Sequence, residues 1–570
     1  MPVRLKHISV VLFFIGIGVS MSLAQDITKI DWKKPIKISG GFSITNTFYE
    51  SQGMPARRDP WYWLISGNAN IQLFNVIAMP VSAQWSQQNR SYTQPFNHYG
   101  VSPTYKALTL HIGYRSLQYS TYSLGGNQWL GAGVEIKPST SPWSFSALYG
   151  RFQKGVDVFA GNSVVAGTPA YERWAYASKI AYQKNGRSVA IQWLRGKDDA
   201  SSVDDSTAAK AGIKPGMNFL WALQTTQKIS GSILFDLEYA MSAYTDDHRT
   251  PSSDVTRHRY LNSFGSFFTT NTSTRVNRAI QTSVTWSKKV YQLKFSYRRV
   301  DPGYASMGSI FLNNDIEDIS GGLTIKWCKQ KVTTNTTLGL QRNNLDNKLT
   351  QEAVRNAFAA SIQWTVSKRI QLQTQYSNFL ANTRFNNQNV TANQLNLQQN
   401  SDSLRYNQVT QNASLTGTIQ WGDSLIRQSV QGTGSWQSAV DSKGMGSEFY
   451  SAMSSYTLGF VPSRWNISAS FLTTYNTVNG VLNRLVGPGC TVSKGISKSF
   501  RLTFNMAYAT NFIEDKNIGY TLNNRVAAQY KKGKHHSISA DFSWLQRKQV
   551  KIVQTTSAEY RFNIVYGYIF

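Results

Sequence analysis

The chain has 570 residues and a formal charge of +29 at pH 7, yet only 16% of its residues are charged and 41% are apolar. A charge of that size suits a nucleic-acid binder, but no compact basic domain or binding motif accompanies it, so no nucleic-acid partner is expected. No run of about eighteen apolar residues occurs, which excludes membrane-spanning helices.

Arg4 and Lys6 precede an uncharged run from Ile8 to Val19, and Ser22-Leu23-Ala24 offers a small-residue cleavage site. This predicts a secretory signal peptide over 1–24. No Cys follows the site, which speaks against a lipoprotein. One further domain, 25–570, is expected, because neither a Pro-rich linker nor a low-complexity tract divides the rest.

Beyond the leader the dominant signal is alternation. Trp61, Trp63, Ile65, Ile71 and Leu73 oppose Ser66, Asn68, Asn70 and Gln72. Tyr291, Leu293, Phe295 and Tyr297 oppose Gln292, Lys294, Ser296 and Arg298. The pattern recurs around Leu323–Trp327, Trp465–Phe471, Phe500–Tyr508 and Ile538–Trp544. A period of two puts successive side chains on opposite faces of a strand. With export and this length, it predicts an all-β fold: a transmembrane antiparallel up-and-down β-barrel of about 24–26 strands.

From about residue 126 onward the connections alternate between short and long. Short ones include Lys184–Arg187, Ser287–Val290, Ser367–Ile370, Gly422–Ser424 and Lys531–Lys534. Long ones include Val156–Glu172, Asp246–Arg275 and Arg384–Ser403. Outer-membrane barrels have short periplasmic turns and longer external loops, so the C-terminus is expected in the periplasm. The short turns are basic, with Lys137, Lys184, Lys288, Lys289, Lys368, Arg369, Lys531 and Lys532 among them. Cations beside anionic headgroups gain roughly 1 kcal/mol each. The count reaches about 25 strands, but a barrel with both termini on one side needs an even number. The phase changes before residue 126, and Ser116–Gly126 is the suspect. Its polar and aromatic residues, Tyr119 and Tyr122 among them, predict a segment that turns inward and recrosses the barrel, or else one more wall strand.

No catalytic, cofactor-binding or metal set emerges, and no cofactor and no enzyme activity are expected. Gly422-Asp423-Ser424-Leu425 spells an esterase motif but reads as a tight turn between strands. Asp246-Asp247-His248 reads as loop polarity. Acidic clusters at Asp198, Asp199, Asp204 and Asp205, and at Asp315, Glu317 and Asp318, offer Ca²⁺-type ligands, although solvated loop charge accounts for them. Cys328 and Cys490 fit no metal spacing and read as isolated thiols. Lys294, Arg298, Lys326 and Arg501 are the lumen-facing candidates, and they favour anionic solutes.

The last strand alternates without an error. Tyr560, Phe562, Ile564, Tyr566, Tyr568 and Phe570 share one face. Its end, Tyr566, Tyr568 and Phe570, resembles the C-terminal signal that outer-membrane barrels present to their insertion machinery. That resemblance implies outer-membrane lipid and this machinery as partners.

The stretch Gln94-Pro95-Phe96-Asn97, Ser102-Pro103, His111-Ile112-Gly113-Tyr114, Leu124-Gly125-Gly126 and Gly131-Ala132-Gly133-Val134-Glu135 resembles large, poorly characterised outer-membrane barrel proteins of the Bacteroidota. Tyr297–Asn314 is similar to another segment of such proteins. The resemblance implies a barrel in a Gram-negative outer membrane and assigns no catalytic residues. The expected function is passage or export of solutes or polymers through a basic, polar lumen. The alternative is a barrel that anchors or helps assemble a secreted surface protein, and the minor one is an outer-membrane hydrolase. No energy-coupling plug domain is expected before the barrel.

Overall fold

The computed structural model describes residues 35–87, 96–157, 168–252, 268–309, 312–349, 351–385, 405–441, 446–550 and 554–570. The expected signal peptide and Gln94-Pro95 lie outside them, as do parts of the long connections.

The strands are β1 (Ile36–Gln52), β2 (Trp61–Leu73), β3 (Ile77–Ser86), β4 (His98–Val101), β5 (Thr104–Tyr105), β6 (Leu108–Gln118) and β7 (Gly125–Ile136). They continue as β8 (Trp143–Gln153), β9 (Glu172–Lys184), β10 (Arg187–Asp199), β11 (Met217–Lys228), β12 (Ile233–Thr245), β13 (Thr274–Ser287) and β14 (Tyr291–Val300). Next come β15 (Ile316–Trp327), β16 (Val332–Arg342), β17 (Gln351–Thr365), β18 (Ile370–Phe385), β19 (Arg405–Gly422), β20 (Ile426–Asp441) and β21 (Gly446–Phe460). The last are β22 (Trp465–Val478), β23 (Val481–Gly495), β24 (Phe500–Ile513), β25 (Lys516–Lys532), β26 (His536–Val550) and β27 (Gln554–Ile569). Apart from β4 and β5, which do not pair with each other, each pairs antiparallel with its neighbours in sequence, and β27 pairs back onto β1 from Gly41↔Ile569 to Gln52↔Ala558. Closure removes both sheet edges, which lipid demands because unpaired backbone groups find no water there.

β4 and β5 are two pieces of one stave. Both pair with β3 and both pair with β6, so the barrel has 26 staves. Pro103 interrupts the stave, since it has no N–H to donate to the ladder. The Ser102 amide bonds Pro80 O instead, at 2.9 Å. This broken stave is the one the alternation pattern hides, and it corrects the suspicion placed on Ser116–Gly126. With it counted, β6 runs opposite to β7, and the two form a direct hairpin through Gln118↔Gly125. The segment between them does turn inward, with Tyr119 and Tyr122 buried, but it does not recross the barrel and adds no wall strand.

One end of the barrel carries only short turns, such as Asn185-Gly186, both with positive φ (53° and 74°). Such a two-residue turn matches strand twist when both central residues are left-handed. Both Ile36 and Phe570 lie at this turn end. The opposite, loop end holds the longer connections, including a short helix, Asp205–Ala211, capped by the Asp204 side chain on Ser206 N.

The outward face is a belt of exposed aromatic and aliphatic side chains, for example Phe295 (59% exposed), Leu338 (59%) and Leu415 (56%) on three different staves. Large apolar groups exposed around a closed barrel are a lipid-facing surface. Tyr566 and Tyr568 belong to this face and meet Phe42 of β1 across the closing seam, with ring centroids at 6.1 Å and 5.8 Å.

Candidate functional site: a half-filled interior

The inside of the barrel is located by a chord. Tyr122, in the loop between β6 and β7, donates its hydroxyl to Gln281 Oε1 on β13 at 2.9 Å. Its backbone N–H donates to Glu238 on β12 at 3.2 Å. Staves so far apart can be bridged only through the interior. Directly paired residues share a face, so the register carries this assignment around the ladder. From Gln281 it passes to Arg298, Asp318, Gln341 and Arg355, and it returns through Glu559, Tyr49, Ser66, Gln84 and Gln192 without a change of face.

Two loops enter from the loop end and interlock on the β6–β14 side. The first is Tyr119–Leu124 and the second is Asp301–Ser309. Tyr304 Oη donates to Tyr122 O at 2.9 Å, and Ser306 Oγ donates to Ser123 O at 2.7 Å. The Gly125 amide bonds Gly308 O at 2.9 Å. The two tyrosine rings meet edge to face at 6.3 Å. Wall residues hold the pair in place: Ser242 Oγ on Ala305 O at 2.6 Å, and Asn218 Oδ1 accepting from Met307 N at 3.1 Å. Lys179 reaches Tyr119 O at 3.2 Å.

The packing is that of a protein core. Tyr119, Tyr122, Leu124, Trp129, Leu194, Leu220, Tyr304 and Met307 form one buried cluster. The wall beneath is trimmed to Ala175, Ala177, Ala222, Ala240 and Ala279, each at most 3% exposed. Small inward side chains let the loops sit close against the staves. Gly308 is required by the same fit, because a Cβ there would lie 2.4 Å from Leu194 Cδ1 and 2.5 Å from Ser123 O. The sequence signal that marks this half is apolarity on both strand faces. In β10, for example, inward Leu194 sits between outward Trp193 and Arg195 and follows outward Ile191.

The other half is lined differently. From β16 to β23 the inward positions are mostly hydroxyl and amide side chains, and Gln363, Gln373, Gln375, Gln420, Gln431 and Asn466 are exposed. Of the four basic candidates, all have inward parity. Lys294, Lys326 and Arg501 are exposed. Arg298 is half-buried and paired with Asp318, so its charge is largely offset.

The remaining motifs have local partners. Asp423 accepts from Leu425 N (2.7 Å) and Ile426 N (2.8 Å) in the β19–β20 turn. The amides of Ile426 and Leu425 hold its carboxyl below the usual range. Asp198 pairs with Arg173 at 2.7 Å, and Asp247 with Arg249 at 3.0 Å. His248 Nε2 lies 3.0 Å from Asp198 O. Asp315 accepts from Asn344 N and Leu345 N, and Glu317 pairs with Arg342. No group of three or more metal-ligating side chains stands together among the described residues. Cys328 lies in the β15–β16 turn and Cys490 on the outward face of β23, both as free, exposed thiols.

One relay escaped the sequence reading. Ser102 Oγ lies 3.0 Å from His111 Nδ1, and His111 Nε2 lies 3.2 Å from Glu135 Oε2. The order is that of a hydrolase, whose oxyanion needs donors beside the nucleophile. Here the Ser102 amide is spent on Pro80 O. The Arg115 terminal nitrogens are spent on Ser82 Oγ (2.6 Å) and Pro80 O (3.2 Å). The relay satisfies polar groups where Pro103 breaks the stave.

No family model and no curated protein matches the chain. Among solved structures, Pseudomonas aeruginosa OpdQ is similar over 67% of this chain and 97% of its own, at 10% identity and a TM-score of 0.35. Pseudomonas aeruginosa OprD, an outer membrane protein, is similar over 60% of this chain and 88% of its own, at 8% identity and 0.33. A bacterial polysaccharide outer membrane secretin is similar over 51% and 91%, at 10% identity and 0.26.

Proposed function

We propose that the protein is an outer-membrane passage for small polar solutes with a preference for anions. The observation that carries this is the division of the interior. On the β6–β14 side the two loops fill the interior towards the loop end, whereas the β16–β23 side presents exposed hydroxyl and amide groups, flanked by Lys294 on β14, Lys326 on β15 and Arg501 on β24. Hydroxyls and amides exchange hydrogen bonds with a passing solute as water does, and fixed cations lower the barrier for negative charge. In this reading the turn end faces the periplasm, with both termini there and the basic turns beside the inner leaflet.

The test is a planar-bilayer reversal potential under a salt gradient. Anion preference is the expected result, and it should weaken when Lys294, Lys326 and Arg501 are replaced together by Gln. Cation preference contradicts the proposal. A silent barrel also contradicts it and favours the anchoring or assembly of a secreted surface protein.

A further inference from the structure

Near the loop end, the inner faces of β1, β2 and β27 and the β1–β2 connection border a cavity of about 790 Å³ that opens to the lumen. Arg57, Arg58 and Arg561 line it, with Tyr49, Tyr62 and Asn563. It lies across the barrel from neither plug loop's seat but on the closing seam, where β27 meets β1.

The charges around it are unequal. Glu559 is the shared acid: Arg57 lies 3.7 Å and Arg547 3.8 Å from its Oε1, and Tyr49 Oη donates to its Oε2 at 3.3 Å. Asp59 is the acid in the lining itself. Arg58 and Arg561 remain in excess. Arg561 stands directly opposite Tyr49 in the register; Arg525, on the same inner row through Ser543, is paired with Asp541 at 3.5 Å and adds nothing to the excess. Among the described residues neither Arg58 nor Arg561 makes an ion pair, and the Arg561 Nε has no hydrogen-bond partner. An arginine without a carboxylate partner keeps its charge and its terminal N–H donors for an incoming oxyanion. Pockets of this size hold small organic ligands. The two tyrosines give such a ligand apolar surface, and Asn563, whose amide donates to Asp541 at 3.1 Å, is a neutral part of the wall.

We propose that this cavity binds the oxyanion of a small organic solute, a carboxylate or a phosphate monoester, on its way through the barrel. The assignment rests on the passage reading and names the solute class for it. The excess arginines, Arg58 and Arg561, set the preference for an oxyanion. Asp59 opposes it and tunes the affinity downward.

The experiment is calorimetric titration of the full-length barrel in detergent with succinate, glucose 6-phosphate and glucose. Saturable binding is expected for either or both anions and not for glucose, and the stronger anion identifies the oxyanion source. Arg561→Gln should weaken that binding about tenfold or more, the loss of one charge-assisted hydrogen bond. Asp59→Asn should tighten it, a gain that misfolding cannot produce. Absence of saturable binding for both anions overturns the proposal, as does Arg561→Gln binding at wild-type strength. Binding is read at equilibrium without a membrane. A barrel that binds but never conducts would therefore keep the site and remove the passage reading, and the converse result would remove the site alone.

Discussion

Deleting Tyr566–Phe570 is expected to abolish the folded barrel. These residues form the last rungs of the seam, Ile44↔Tyr566 to Gly41↔Ile569, and pair on their other side with β26. Phe570 adds two backbone bonds to Gly40, at 3.0 Å and 3.2 Å. The deletion removes the Phe42 contacts of Tyr566 and Tyr568 and the His536–Tyr568 contact at 4.9 Å. Each aromatic pair contributes about 0.5–1.5 kcal/mol beyond its burial. The larger loss is backbone. Gly41–Ile44 would face lipid with unpaired donors and acceptors, each costing several kcal/mol. Together these losses approach the whole stability of an ordinary domain, about 5–15 kcal/mol. Heat-modifiable barrel in outer-membrane fractions should fall to a trace. Wild-type amounts would refute both the seam argument and the proposed role of the terminal aromatics in insertion.

Gly308→Val is expected to unseat the plug while leaving the wall intact. The new side chain has no room between Leu194 and the Ser123 carbonyl. Overpacking of a tight core costs about 1–3 kcal/mol, and expelling the Asp301–Ser309 loop also breaks the Tyr304–Tyr122 and Ser306–Ser123 bonds. The ladder is untouched, so the heat-modifiable form should persist. The readout is a cysteine at Tyr122, which is 2% exposed in the native packing. It should react slowly with a water-soluble thiol reagent in the parent barrel and at least tenfold faster in the Gly308→Val background. Equal rates would show that Gly308 does not hold the plug.

The legible parts of this protein are those where one strand face meets lipid. The outward Phe500, Leu502 and Phe504 alternate with inward Arg501 and Thr503 because water and hydrocarbon impose opposite chemistry on neighbouring residues. The turns are legible for a local reason, since Asn185-Gly186 can take left-handed backbone without help from the rest of the fold. The stave holding Pro103 was illegible because its pairing survives through neighbours on both sides, not through its own pattern. The plug is tertiary in origin. Nothing in Tyr119–Leu124 alone announces Tyr304 as its partner, and inward Ala222 and Ala240 look like weak strand residues until something packs on them. The arginine cavity was hidden for the same reason, since Arg57 and Arg561 lie at opposite ends of the chain and meet only when the seam closes.

The measurement that bears most directly on passage through the polar half is single-channel current through a Gln431→Cys barrel during treatment with a charged methanethiosulfonate reagent. Gln431 is inward, exposed and far from the packed side. The account predicts that a negatively charged adduct there reduces the anion current in discrete steps, while the same reagent leaves the cysteine-free barrel unchanged, with both native cysteines replaced by Ser. Conductance that persists unaltered after complete labelling would contradict it.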